Sequence, residues 1–218
     1  MEAIWYAVIA LMLTVYVVLD GFDFGAGIAH LVVARTDEER RTVLAAIGPV
    51  WDGNEVWLVG SGGILFFAFP RAYSTAFSGF YLALVIVLWL LIVRGLSIEF
   101  RGQLGNPLWR AFFDATFAVS STVLALVLGA TLGNVIRGVP IGADGSFVAP
   151  LFTNFAVQGP GATEVGALDW YTVLVGLLAV AALAMHGAAY LVWKTEGAVY
   201  ERSRTLFLRA WIMSALLL

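Results

Sequence analysis

The chain has 218 residues, of which 61% are hydrophobic and 12% charged, with a formal net charge of −3 and no cysteine. That is too apolar for a soluble domain of this length and too poor in basic blocks for nucleic-acid binding, which leaves an integral membrane protein. The lack of cysteine excludes disulfides, thiolate metal sites, iron–sulfur clusters and CxxCH haem attachment in this chain.

A membrane span needs about 20 predominantly apolar residues. Five windows meet that length, at 3–33, 43–69, 74–98, 111–136 and 169–193. The first follows Glu2, has no Lys or Arg before it and lacks a small-residue cleavage site, so it reads as a retained span and not as a signal peptide. A sixth begins near Thr205 and reaches Leu218 too soon to cross a bilayer unaided, which reads as truncation.

Cations set the expected orientation. Arg35, Arg40 and Arg41 follow the first window, Arg101 and Arg110 the third, and Lys194, Arg202 and Arg204 the fifth; the other connections hold only Arg71 and Arg137. The positive-inside rule then places the first set in the cytoplasm and the N-terminus outside. The connection 137–168, with Gly138, Pro140, Gly142, Asp144-Gly145 and Gly159-Pro160-Gly161, reads as an external loop rich in turn residues.

Two runs break the apolar pattern: DGFDFG at 20–25 and WDGNEVW at 51–57. An ionisable side chain near the centre of a spanning helix costs about 2.5–3.5 kcal/mol, so each marks a functional site by default. At 1.5 Å per residue, Asp20 and Asp23 fall in the inner half of span one, and Asp52 and Glu55 roughly 14–18 Å into span two. Arg94 falls near the cytoplasmic end of span three, and Asp114 in the first turns of span four. Asp20, Asp23, Gly27 and His30 form one stripe, and Gly48, Asp52 and Glu55 another, with Gly21 and Gly25 allowing close helix approach. A bundle with its acids turned inward is expected.

Buried carboxylates can be static anchors between helices or members of a proton path, and their number and common depth favour the path. Arg94 either snorkels to the headgroups or serves as a carboxylate's counter-ion, leaving Glu99 and Arg101 at the interface. His30 and His186 read as hydrogen-bonded packing residues in preference to haem or metal ligands. Trp5, Trp109, Trp170 and Trp193 suit interfacial belts, Trp51 and Trp57 wall the acids from lipid, and Gly60, Gly62 and Gly63 read as a close helix crossing.

These runs, together with AFSGFY at 76–81, RGLSIEFR at 94–101 and GNVIRGVP at 133–140, resemble subunit II of cytochrome bd quinol oxidase. The match is collinear from near residue 10 to near residue 205. The resemblance implies a haem-free subunit in the bacterial cytoplasmic membrane, paired with a subunit I that holds haems b and d and the quinol site. That complex oxidises quinol and reduces dioxygen to water in aerobic respiration. No catalytic residue, metal or cofactor is expected in this chain. A structural quinone and small single-span accessory subunits stand as open partners beside membrane lipid. By the same resemblance Asp52 heads a cytoplasmic proton channel that includes Asp20, Asp23, Glu55 and Asp114, supported by Arg94, Trp51, Glu99 and Arg101. Family members are longer, with two four-helix bundles. The expected fold is thus all-α and polytopic: a first bundle over 1–138, an external loop over 139–168, and the start of a second bundle over 169–218. The rival function is a proton-coupled secondary transporter, for which broken helices at the midplane and a substrate pocket would be diagnostic.

Overall fold

The computed structural model describes residues 1–156 and 166–218. The turn expected at Gly159-Pro160-Gly161 lies outside the described residues. Among the described residues eight helices follow one another: α1 (Glu2–Val33), α2 (Asp37–Ile47), α3 (Trp51–Ala68), α4 (Pro70–Gly79), α5 (Tyr81–Phe100), α6 (Pro107–Arg137), α7 (Trp170–Lys194) and α8 (Gly197–Leu217). The architecture is an all-α membrane bundle, in which α1, α5, α6 and α7 are long and apolar enough to cross a bilayer.

The windows 43–69 and 74–98 are not single helices. α2 begins on a capping box, in which Thr36 Oγ1 accepts from the Glu39 amide while the Glu39 carboxylate accepts from the Thr36 amide. It stops at Gly48-Pro49-Val50, because proline lacks the N–H a helix needs and its ring collides with the preceding turn. α3 therefore starts at Trp51. The next break is at Phe69, where Pro70 opens α4 in the first-turn position that tolerates a missing N–H. The chain breaks again at Phe80, so the third span is α5 alone. α8 starts earlier than the sequence pattern indicated, at Gly197, and has 21 residues.

α1 is the central element. It packs against α3, α6 and α7, and more lightly against α2 and α8. Its burial is concentrated in the second half, where Asp20–His30 is almost continuously inside. Close approach to α7 is made possible by Gly25 facing Gly187: a Cβ at Gly25 would lie 2.5 Å from the Gly187 nitrogen and 2.6 Å from its Cα. A second close approach joins α6 and α7, where a Cβ on Gly129 would stand 2.9 Å from the Gly176 Cα. The crossing expected at Gly60, Gly62 and Gly63 does not exist in that form. Gly60 meets only the end of Met12, and added methyl groups at Gly62 and Gly63 would touch nothing among the described residues.

At the opposite end from α2, the connection after α6 is clasped back onto the bundle. Asn134 donates to the Ala167 carbonyl at 2.7 Å, and Arg137 pairs with Asp169, which also caps α7.

Candidate functional site

Buried charge is gathered into two groups along the second half of α1. The first is built on Arg94 of α5. Its Nη2 donates to Asp20 Oδ1 of α1 at 2.7 Å and to Glu55 Oε1 of α3 at 2.6 Å, and its guanidinium lies over the Phe24 ring at 4.2 Å. Arg94 and Asp20 are fully buried, whereas the Glu55 side chain keeps 28% of its surface. Arg94 is thus the counter-ion of two carboxylates, and the snorkelling alternative is excluded. One turn further along α1, Asp23 accepts from Asn54 of α3 at 2.8 Å. Trp51 closes the side of the group, its ring packed against α5 at Gly95.

The second group is built on Asp114 of α6. Its Oδ1 accepts from His30 Nε2 at 2.6 Å and Arg101 Nε at 2.5 Å, and its Oδ2 accepts from Arg40 and Arg101, each at 3.1 Å. Arg101 also donates to Asp37, which takes further bonds from Arg41 and Arg110. This network joins α1, α2, α5 and α6. Arg101 is buried at the C-terminal end of α5, while Glu99 is exposed and offers its backbone carbonyl to Gln103.

The two groups differ in what their oxygens can still do. Asp114 has both oxygens occupied by donors, whereas Asp20 Oδ2 and Asp23 Oδ1 are buried and make no hydrogen bond among the described residues. A carboxyl with a free lone pair can take up or hand on a proton; a saturated one is held as an anion.

Asp52 departs from expectation. It lies in the first turn of α3, exposed, and among the described residues accepts only from the neighbouring Gly53 amide at 2.8 Å. The break at Pro49 resets the helix, so counting depth from residue 43 placed Asp52 and Glu55 too deep. Asp52 points away from the bundle, and Glu55, three residues on, turns back toward Arg94.

A further ion pair ties α8 to α2. Arg202 of α8 donates to Glu39 at 2.5 Å and to the Val33 carbonyl at the end of α1, also at 2.5 Å. The Arg202 guanidinium, with amide donors from Arg35 and Thr36, holds the Glu39 carboxyl down at about 2.

Both histidines are hydrogen-bonded through Nε2, His30 with Asp114 and His186 with the Val18 carbonyl at 2.8 Å. Asn54 and Asp37 were not singled out from sequence, and Arg40 was read only as a cation that sets the orientation. Asn54 carried a signal, since Asn54, Leu58 and Ser61 repeat at helical spacing and face α1.

The comparisons with known proteins agree with one another. The family model described as cytochrome bd terminal oxidase subunit II matches residues 1–218. The chain is similar to a probable cytochrome oxidase subunit 2 of Haemophilus influenzae, 37% identical over 203 residues, covering 93% of this chain and 51% of that protein. It is similar to the cytochrome bd-I ubiquinol oxidase subunit 2 of Escherichia coli K12, 35% identical over 92% of this chain and 51% of that protein. The cytochrome bd ubiquinol oxidase subunit 2 of Bacillus subtilis is 33% identical over 93% of this chain and 56% of that protein. The chain thus spans about half the length of the curated relatives it matches. With four helices among the described residues able to cross a bilayer and the same family throughout, this is a multi-pass bacterial membrane protein that belongs to the cytochrome bd terminal oxidase subunit II family.

Proposed function

We propose that this chain is a haem-free subunit of a terminal oxidase that oxidises quinol and reduces dioxygen to water. In this reading its buried carboxyls carry protons from the cytoplasm to a subunit I that holds haems b and d. The relatives' names, ubiquinol oxidase subunit 2, support a place beside a first subunit.

The observation that carries the reading is the sharing of one guanidinium nitrogen by Asp20 and Glu55, with Asp23 one turn on. Three carboxyls face one guanidinium, so full ionisation leaves two uncompensated negative charges in a dry site. Protons are the counter-charge such a site can bind and release. The route begins at exposed Asp52, passes to Glu55 one turn away, and enters the bundle at Arg94, Asp20 and Asp23. Asp52 lies on the outward face of α3, where a partner subunit would cover it. Asp114 and Arg101 brace this route, and Trp51 seals its side. The N-terminus lies outside the cytoplasmic membrane, with the α2 end inside.

The test is haem-normalised, quinol-driven oxygen uptake in the assembled complex, with proton uptake measured alongside. Asp23→Asn and Asp52→Asn preserve shape and hydrogen bonding, so assembly persists while turnover falls about tenfold, equivalent to about 1.4 kcal/mol of barrier. Parental turnover in both variants would reduce these acids to anchors.

A further inference from the structure

One face of α1 carries a row of buried polar atoms that make no hydrogen bond among the described residues: the Tyr16 hydroxyl, Asp20 Oδ2, Asp23 Oδ1 and His30 Nδ1. At 3.6 residues per turn these positions fall within an arc of about 80°. The gap between Asp23 and His30 is filled from α6. Gly27 has no Cβ there, and the space is taken by Ser121, whose Oγ is also buried and unpaired. All five side chains are more than nine-tenths buried.

Unpaired buried polar atoms are rare, and a row of four on one face of α1, completed by a fifth from α6, calls for one explanation. Their successive positions along α1, counting Ser121 at Gly27, are separated by four, three, four and three residues. Those steps correspond to rises of about 6.0, 4.5, 6.0 and 4.5 Å. Two hydrogen bonds through a single water span about 5.6 Å. The Tyr16 hydroxyl faces the Asp20 carboxyl directly, with Arg94 and Glu55 as the other charged groups around it, so the Tyr16–Asp20 step is the one that needs no water and the row runs into the Arg94 group.

Resting on the proton-carrying reading above, we propose that α1 holds a water-linked proton thread running from His30 through Ser121, Asp23 and Asp20 to Tyr16, with His30 as its proton-loading end. Asp114 sets the chemistry of that end. Its carboxylate accepts from His30 Nε2 at 2.6 Å while its other lone pairs are taken by Arg101 and Arg40, so the ring hydrogen sits on Nε2 and Nδ1 presents a lone pair to the thread. An excess proton arriving on a hydronium forms an N–H bond at Nδ1 as the hydronium O–H bond breaks and leaves neutral water, and it departs by the reverse step to the next water of the thread. The Nε2 hydrogen never moves, and the transient positive charge of the ring is balanced by Asp114. Ser121 and Tyr16 pass protons by accepting one as their own departs, remaining neutral. Phe117, edge-on to His30 at 5.4 Å between centroids, walls this section from its surroundings. His30 is thus a proton-handling residue and Asp114 a positioning one.

The test uses the complete membrane complex carrying Ser121→Ala, Tyr16→Phe or His30→Gln, with Asp23→Asn as reference. Oxygen uptake per haem is compared in light and heavy water, and the side chains of the chain's two histidines are followed by nitrogen-15 NMR. Each variant should turn over about three- to tenfold more slowly, with an enlarged solvent isotope effect. The His30 signal should show a hydrogen on Nε2 and an Nδ1 in exchange with water. Parental rates and isotope effects in Ser121→Ala and Tyr16→Phe, with a slow Asp23→Asn, would overturn the thread and leave the carboxyl route standing. A parental Asp23→Asn would remove both. If His30→Gln does not assemble, Ser121→Ala and Tyr16→Phe decide, because each removes only one oxygen.

Discussion

Gly25 and Gly187 meet backbone to backbone, and that contact fixes how closely α1 and α7 can lie. A methyl group at position 25 would collide with the Leu183 carbonyl and with Gly187, none of which can move without shifting a helix. Gly25→Ala should therefore cost more than a typical surface change, on the order of 2–4 kcal/mol, in the range of severe overpacking. Gly62→Ala serves as the control, because nothing lies within 4 Å of its added methyl. It should be neutral or stabilise by up to about 1 kcal/mol through helix propensity. Thermal unfolding of the two variants in the same detergent decides; equal melting temperatures would contradict the backbone contact.

Arg94 neutralises acids from two different helices, so its loss leaves them unpaired. Removing one member of a buried ion group costs about 3–5 kcal/mol. Arg94→Met should abolish accumulation of the assembled protein, and Arg94→Met with Asp20→Asn should restore part of it, because the fully buried one of the two stranded charges is then gone while Glu55 remains. Yield and melting temperature of the single and double variants measure this, and a double variant no better than the single one would argue against direct pairing.

The Glu39 carboxyl is depressed to about 2 by Arg202 and the neighbouring amides. A depressed folded value means that the pairing stabilises the fold above the ordinary carboxyl range and is lost as pH falls through it. The difference in melting temperature between the parent and Glu39→Gln should be constant from neutrality down to about pH 5 and shrink between about pH 4.5 and 2. A difference that persists at the acid end would assign the effect to packing instead of charge.

Single cysteines report sidedness cleanly, since the chain has none of its own. With the α2 end in the cytoplasm, Gln103→Cys and Glu196→Cys, both exposed, should resist an impermeant thiol reagent in intact cells. Val148→Cys, exposed in the connection after α6, should label readily. The reverse pattern would invert the orientation drawn from the positive-inside rule.

The long spans were legible because apolar length alone defines them: α1, α6 and α7 fall close to the windows read from sequence. Segments two and three were misread because hydropathy averages over Pro49 and Pro70, and a smooth apolar window conceals a broken backbone. The inward acids Asp20 and Asp23 followed from helical spacing on α1, which is unbroken. Asp52 did not, because its direction depends on where α3 restarts. The His30–Asp114 pair joins residues 84 positions apart, and Asp37 and Arg40 reach that network only because α2 folds back beside α1 and α6. No local pattern announces such contacts; they arise from the packing of whole helices.

The Pro49 break also bears on how the chain is made. α3 is left with 18 residues, about 27 Å of helix, slightly less than the roughly 30 Å hydrocarbon layer, and it carries two acids. Each acid adds about 2.5–3.5 kcal/mol to the cost of entering lipid alone. On α1, already inserted, Asp23 meets Asn54, and Arg94 of α5 meets Glu55, so partners for the polar face of α3 emerge from the ribosome on either side of it. The order of synthesis thus makes α3 a dependent passenger, admitted to the bilayer by helices that precede and follow it. Glycosylation mapping of nascent chains would show this as poor insertion of residues 51–68 in isolation and efficient insertion of 1–100; efficient insertion of the isolated segment would contradict it.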